Sequence, residues 1–288
     1  MKTYKYAPVL LAALLGFAGC DSSVDDAAEL SVTSDVAESL AKLTAEDTGG
    51  LVDQVGDVMD LATAGDIQSQ LEVTSAKFEH HPVERSYNES TGTWTISVTH
   101  ERGDPEGDRY MTLSKIYEVQ FLNADGLPQK FFVTDGATAH AIGFVIVEGS
   151  GSLVTPRIDA FRENITGEWM ATGVNTDVVT INGTYSRTGG HTITTLEAVR
   201  TLEYELALDV HDVMGPKGSR RDLSQKISGT ISGTYDAFAT FERGDAYRER
   251  EISRSFTIEI NNGEATISVD GHVFGSNVRT GDVTRVGT

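Results

Sequence analysis

The strongest constraint in this chain is a period of two. From about residue 71 onward, apolar and polar side chains alternate over run after run. Trp94, Ile96 and Val98 alternate with Thr93, Thr95, Ser97 and Thr99; Leu113, Tyr117, Val119 and Phe121 alternate with Ser114, Glu118 and Gln120. Leu202, Tyr204, Leu206, Leu208 and Val210 alternate with Glu203, Glu205, Asp209 and His211, and Phe256, Ile258 and Ile260 with Thr257 and Glu259. Successive side chains of a strand point to opposite faces, so each run buries one face and wets the other, as antiparallel sheets do. Helical runs between the strands, which a parallel sheet would need, do not occur. Thr192 to Val213 and Lys226 to Glu242 read as unusually long strands, and long twisted strands curl or pack as two sheets. The expected fold is therefore mainly β: a curved antiparallel sheet, sandwich, barrel or half-barrel over residues 66–288.

Turn signals punctuate the runs. Glu89-Ser90-Thr91-Gly92, Asn123-Ala124-Asp125-Gly126, Asn182-Gly183, Thr188-Gly189-Gly190 and Asn261-Asn262-Gly263 are each read as turns, and Gly149-Ser150-Gly151-Ser152 as a flexible one. A partial repeat is also visible. Gly92 to Asp104 and Gly233 to Asp245 share Gly, Thr, Thr, Glu, Arg, Gly and Asp at matching positions. An alternating strand, an Asn…Gly turn and a strand ending in Asp-Gly follow in both, so 92–136 and 233–271 are read as one three-strand meander used twice.

The N-terminal part differs. Val36, Leu40 and Leu43, then Leu51, Val55, Val58, Met59 and Ala62, recur at helical spacing on either side of Thr48-Gly49-Gly50. Residues 34–65 are expected to form a short helical stem that packs on the sheet. Residues 20–33 are small, polar and acidic, and read as a flexible tether. Before them, Lys2 and Lys5 precede the apolar stretch Ala7–Ala18, which is too short to span a bilayer as a permanent helix. It ends in Phe17-Ala18-Gly19-Cys20, and Cys20 is the only cysteine. This segment resembles the lipobox signal peptide of bacterial lipoproteins, with Phe17 standing where the family usually has Leu. The resemblance implies cleavage after residue 19, lipidation of Cys20 (palmitate-type acyl chains) and attachment to a membrane of the bacterial cell envelope. Each buried methylene contributes roughly 0.8 kcal/mol to such an anchor.

Composition excludes several classes. With 23 Lys and Arg against 43 Asp and Glu, the formal net charge is −20, which repels a phosphate backbone and excludes nucleic acid as a partner. One cysteine permits neither an internal disulfide nor a thiolate zinc or iron–sulfur site. The sequence contains no Gly-x-Ser-x-Gly, P-loop or dinucleotide motif. No cofactor is implied, with one candidate aside: Asp104, Glu106 and Asp108 alternate in a Gly-containing loop and would converge on a hard cation such as calcium. The triplets Arg102-Gly103-Asp104 and Arg243-Gly244-Asp245 resemble the integrin-binding tripeptide, but Gly-Asp is ordinary turn material. The favoured function is a non-enzymatic binding or carrier module for an apolar ligand at the envelope. A carrier of this kind requires a large apolar concavity. The alternatives are a structural or adhesion module that binds protein or glycan through its loops, with the sheet core filled, and an envelope hydrolase, which would require histidines and acids to meet in one cleft.

Overall fold

The computed structural model describes residues 22–62, 84–194, 196 and 198–285. The signal segment, Cys20, Gly65, His80 and His81 lie outside the described residues.

Two helices come first: α1 (Ser22–Thr44) and α2 (Leu51–Leu61). Helix α1 begins inside the stretch 20–33 that composition marks as a tether. No glycine or proline interrupts residues 22–47. The break at Thr48-Gly49-Gly50 is where the chain turns, with Gly49 at φ +65°. On α1 the stripe Val36, Leu40 and Leu43 is buried. On α2 burial extends round the whole helix: Asp53, Gln54 and Asp57 are buried together with Leu51, Val55, Val58 and Met59. The sequence marks an apolar face there, but the polar face is also enclosed and so needs partners. The Tyr117 hydroxyl donates to Asp57 Oδ2 at 2.7 Å, with Lys115 Nζ 3.7 Å from the same oxygen, and Gln54 Nε2 donates to the Tyr185 hydroxyl at 3.4 Å.

The rest is strand: β1 (Glu84–Asn88), β2 (Thr93–Gly103), β3 (Tyr110–Leu122), β4 (Pro128–Gln129), β5 (Val133–Thr134), β6 (Ala137–Thr138), β7 (Ala141–Val154), β8 (Ile158–Thr172), β9 (Val178–Thr194) and β10 (Val199–Pro216). A 3₁₀ turn (Arg220–Gln225) leads to β11 (Ser228–Arg243), β12 (Ala246–Asn261), β13 (Glu264–Val269), β14 (His272–Asn277) and β15 (Val283–Arg285). Thirteen strands form one sheet in the order β1-β2-β3-β7-β8-β9-β10-β11-β12-β13-β14-β15, with β4 beside β3. Each neighbouring pair is antiparallel. Strands β5 and β6 form a separate ribbon. The fold is thus mainly β, as the alternation implies, and the sheet is curved but not closed, since β1 and β15 do not pair. No helix among the described residues is long and apolar enough to cross a membrane.

Curvature comes from bulges. The register shifts between Ile116 and Tyr117, between Glu163 and Thr166, and between Val210 and Val213. Asn164 (φ +50°) and Asp212 (φ +47°) lie inside two of these irregularities. A bulge bends its strand and increases local twist, so the sheet curls around the helices. Its inward side chains meet α1 and α2 in one core. Tyr117, Phe144, Trp169 and Tyr185 line up across β3, β7, β8 and β9, with successive ring centroids 4.6, 5.9 and 6.4 Å apart. Complete burial of an aromatic side chain such as Phe144 contributes about 1.5–3 kcal/mol.

Some sequence readings are corrected. Thr192–Val213 is not one strand: β9 ends at Thr194 and β10 starts at Val199, and these two residues pair across a hairpin. Asn182-Gly183 and Thr188-Gly189-Gly190 are not turns but lie within β9, and Gly149–Ser152 lies within β7. In the two repeat segments, β2–β3 and β11–β12 are hairpins across the Arg-Gly-Asp triplets. The third elements differ. Asp135-Gly136 turns the ribbon β5–β6, whereas Asp270-Gly271 joins β13 to β14 in the main sheet. Both aspartates have φ +51°.

Candidate functional site

Among the described residues, the concave face of the sheet packs against the chain's own helices. A cavity of about 210 Å³ lies between α1 and strands β7 to β10. Leu43 of α1, Leu153 of β7, Ile158 and Ala160 of β8, and Ile193 of β9 make a hydrocarbon wall. Arg162, Arg187, His191 and Tyr204 make a polar one, and Asp35, Glu38 and Lys42 of α1 add charge.

Register explains how these residues meet. On β8 the inward positions 158, 160 and 162 alternate with outward ones, and on β9 positions 187, 189, 191 and 193 do the same. Arg162 pairs with Gly189, and Gly189 pairs with Tyr204. Gly189 is required by close approach: a Cβ there would lie 2.8 Å from the Tyr204 hydroxyl and 2.6 Å from the Phe161 carbonyl oxygen. The Tyr204 ring therefore crosses the β9 backbone where a side chain is missing, and its centroid lies 5.7 Å from the Arg187 guanidinium carbon. Gly190 serves the opposite face, where a Cβ would meet the Phe161 ring at 2.6 Å.

The two arginines differ in their partners. Arg162 donates to the carbonyls of Thr48 (2.7 Å) and Gly49 (3.2 Å), which ties the α1–α2 turn to the sheet. Burial first, and then the charge of Arg187, pulls the Arg162 pKa down to about 10; nearby Asp53 acts in the opposite direction. Arg187 is also buried, and its Nε has no hydrogen-bond acceptor. Among the described residues neither guanidinium has a carboxylate within ion-pair distance, whereas Asp35 is held by Arg200 at 2.8 Å and Lys42 by Asp282 at 3.2 Å. Burial and the adjacent Arg187 charge hold the His191 pKa down at about 4, so its imidazole is neutral at pH 7.

Ser39 Oγ lies 3.5 Å from His191 Nε2. A serine beside a histidine invites a hydrolase reading, but an imidazole with so low a pKa is a weak general base. Among the described residues no carboxylate hydrogen-bonds its other ring nitrogen. His100, His140, His211 and His272 do not line this cavity.

The calcium candidates are not brought together. Asp104, Glu106 and Asp108 are exposed in the β2–β3 loop, where Asp104 Oδ1 accepts the Glu106 backbone N–H at 3.0 Å. The alternation that suggested convergence is spent on an Asx turn, and no metal-holding group of three His, Cys, Asp or Glu occurs among the described residues. The Arg-Gly-Asp triplets end β2 and turn β11 into β12, with Gly103 at φ +93° and Gly244 at φ +57°. Cys20 lies outside the described residues. An open trough of about 740 Å³ crosses the outward face of β3 and β7 to β11, with Glu118, Glu168 and Asp209 on its walls.

No known protein family, no curated protein and no solved structure matches this chain.

Arg162, Arg187 and His191 carry no sequence motif. Their signal is parity: Arg187 and His191 share the inward parity of Tyr185 and Ile193, and Arg162 that of Ile158 and Ala160. Reading residues 188–190 as a turn interrupts the period and hides them.

Proposed function

We propose that the protein is a non-enzymatic binding module, held at the bacterial cell envelope through lipidated Cys20, which takes a small ligand into the cavity beneath α1. The observation that carries this reading is the cavity itself, with hydrocarbon on one wall and convergent buried polar groups on the other, the usual makeup of a small-molecule site. At about 210 Å³ it suits a molecule of a few carbon atoms and excludes a whole lipid. The expectation of an apolar-ligand carrier is narrowed accordingly, because α1 and α2 occupy the concavity that a lipid would need.

The test is a small neutral probe, 1-hexanol, added to the purified mature protein. It is expected to raise the melting temperature, because a ligand that binds only the folded state stabilises it by mass action. Ala160→Phe fills the space beside His191, its cross-strand partner, and is expected to abolish that rise. A rise of the same size in the variant would place the binding elsewhere.

An adhesion or structural module is the second reading. A cluster at one end of the sheet favours it: Trp94 lies 4.9 Å from Tyr87 and 6.0 Å from Phe131, with Lys130 over Tyr87 at 4.7 Å and Leu127 exposed. On that reading Ala160→Phe leaves function intact and Trp94→Ala removes it.

A further inference from the structure

We infer that the ligand of the α1 cavity is a small amphiphilic acid, its carboxylate set against Arg187 and its short apolar chain along Leu153, Ile158 and Ile193. The inference rests on the reading of this cavity as a binding site and adds the chemistry of the ligand.

The first argument is charge. A buried guanidinium without a counter-charge is costly for a fold to hold, with an effective penalty of several kcal/mol. Arg187 is 3% exposed, its hydrogen-bond partners are the neutral hydroxyls of Tyr185 and Tyr204, the Tyr204 ring lies 5.7 Å away, and its Nε has no acceptor. Arg162 has found the Thr48 and Gly49 carbonyls and has Asp53 nearby. Arg187 has neither. Of the other charged groups at the cavity, Asp35 and Lys42 are engaged with Arg200 and Asp282, and Glu38 is exposed to solvent. In a protein with a net charge of −20, a buried cation left over beside a cavity is placed against the overall electrostatic trend. A carboxylate meets its needs: it neutralises the charge and accepts from the open Nε–H, and guanidinium and carboxylate are matched in geometry.

The second argument is the opposite wall. It is built mainly of Leu43, Leu153, Ile158, Ala160 and Ile193, and the lining hydroxyls of Thr48 and Thr155 are spent on the carbonyls of Lys42, Ala45 and Ile158. Phosphate or sulfate would leave several oxygens facing hydrocarbon, which is unfavourable. An acid with a short chain satisfies both walls. The cavity holds roughly seven water-sized volumes of ~30 Å³ each, close to the size of hexanoate. His191, neutral and beside Arg187, adds a group that can donate to the same carboxylate.

The experiment is calorimetric titration of the mature protein, wild type and Arg187→Met, with hexanoate, 1-hexanol, acetate and inorganic phosphate at pH 7. The expected result is hexanoate binding that weakens about 10–100-fold in Arg187→Met, the worth of a charge-assisted hydrogen bond, with 1-hexanol binding equally to both proteins. Acetate and phosphate are expected to bind at least tenfold more weakly than hexanoate. Equal hexanoate affinity in the two proteins overturns the inference and leaves the cavity reading standing, provided 1-hexanol binds. Phosphate binding as tight as hexanoate also overturns it, in favour of an inorganic anion. If neither six-carbon probe binds wild type, the cavity reading falls as well. Folding is checked within the experiment by 1-hexanol binding, which Arg187→Met is expected to keep.

Discussion

His191 should make the protein acid-sensitive in a way that one substitution removes. Its imidazole is buried beside the Arg187 guanidinium, and the folded state holds its pKa at about 4 against 6.5 for the free side chain. The unfolded chain therefore takes up a proton between pH 6.5 and pH 4 that the folded chain refuses. Stability rises with pH wherever the unfolded state binds more protons, so the contribution of neutral His191 is intact above pH 6.5 and is lost as pH falls toward 4. At about 1.36 kcal/mol per unit of pKa, the loss at pH 4.5 is on the order of 2–3 kcal/mol. The assay is urea unfolding of wild type and His191→Gln at pH 7.5 and pH 4.5. Other titrating groups, including Asp35 with its burial-raised pKa, are common to both proteins and cancel in the comparison. The free energy of wild type is expected to fall between the two pH values by about 2–3 kcal/mol more than that of the variant. Equal acid sensitivity in the two would refute the placement of His191 in a buried, positively charged setting.

Three further outcomes follow from the same structure. Lys115→Met removes the cation beside buried Asp57 and is expected to cost about 3–5 kcal/mol by chemical denaturation, with Lys115→Met/Asp57→Leu recovering much of it; additive losses would contradict the buried pair. Gly189→Ala pushes a methyl against Tyr204 and the Phe161 carbonyl and should destabilise by about 1–3 kcal/mol while closing the cavity to 1-hexanol, even though alanine is ordinarily the better strand residue. Cys20→Ser in a bacterial host is expected to move the protein from the membrane fraction to the soluble fraction and to abolish incorporation of labelled palmitate; retention in the membrane fraction would count against the anchor.

The strands were legible because burial on one face writes itself into the chain as a period of two. Trp94 to Val98 and Leu202 to Val210 could be read on sight, and the antiparallel meander follows from the short turns between such runs. The helical stripes of α1 and α2 were legible too, by their spacing. Glycine was the main source of error. Gly149, Gly151, Gly183, Gly189 and Gly190 look like turn residues in sequence, but in this sheet they leave room for neighbouring side chains or sit at bulges. Whether a glycine turns the chain or makes space depends on what lies on the adjacent strand. That is a matter of register, and register between β8, β9 and β10 is not local. The cavity was hidden for the same reason. Arg162, Gly189 and Tyr204 form one row only once three strands are paired, and Arg187 stands out only when parity is carried through residues 188–190. Helix α1 was underestimated because Ser, Asp and Ala in residues 22–33 suit a solvated linker as well as a helix; continuity with the buried stripe at Val36 and Leu40 decides it. The acidic loop at Asp104 misled because alternating carboxylates converge on a cation only if the loop folds inward, and this one closes on its own backbone.

The most direct measurement of the central claim is the nuclear magnetic resonance titration of the His191 imidazole in wild type, with and without hexanoate. In the free protein Arg187 helps hold its pKa at about 4. A carboxylate seated against Arg187 offsets that charge, so the account predicts that the His191 resonance shifts on addition of hexanoate and that its pKa rises toward the ordinary 6.5, with 1-hexanol leaving the pKa low. An imidazole whose shift and pKa are unchanged at hexanoate concentrations that bind the protein would contradict it.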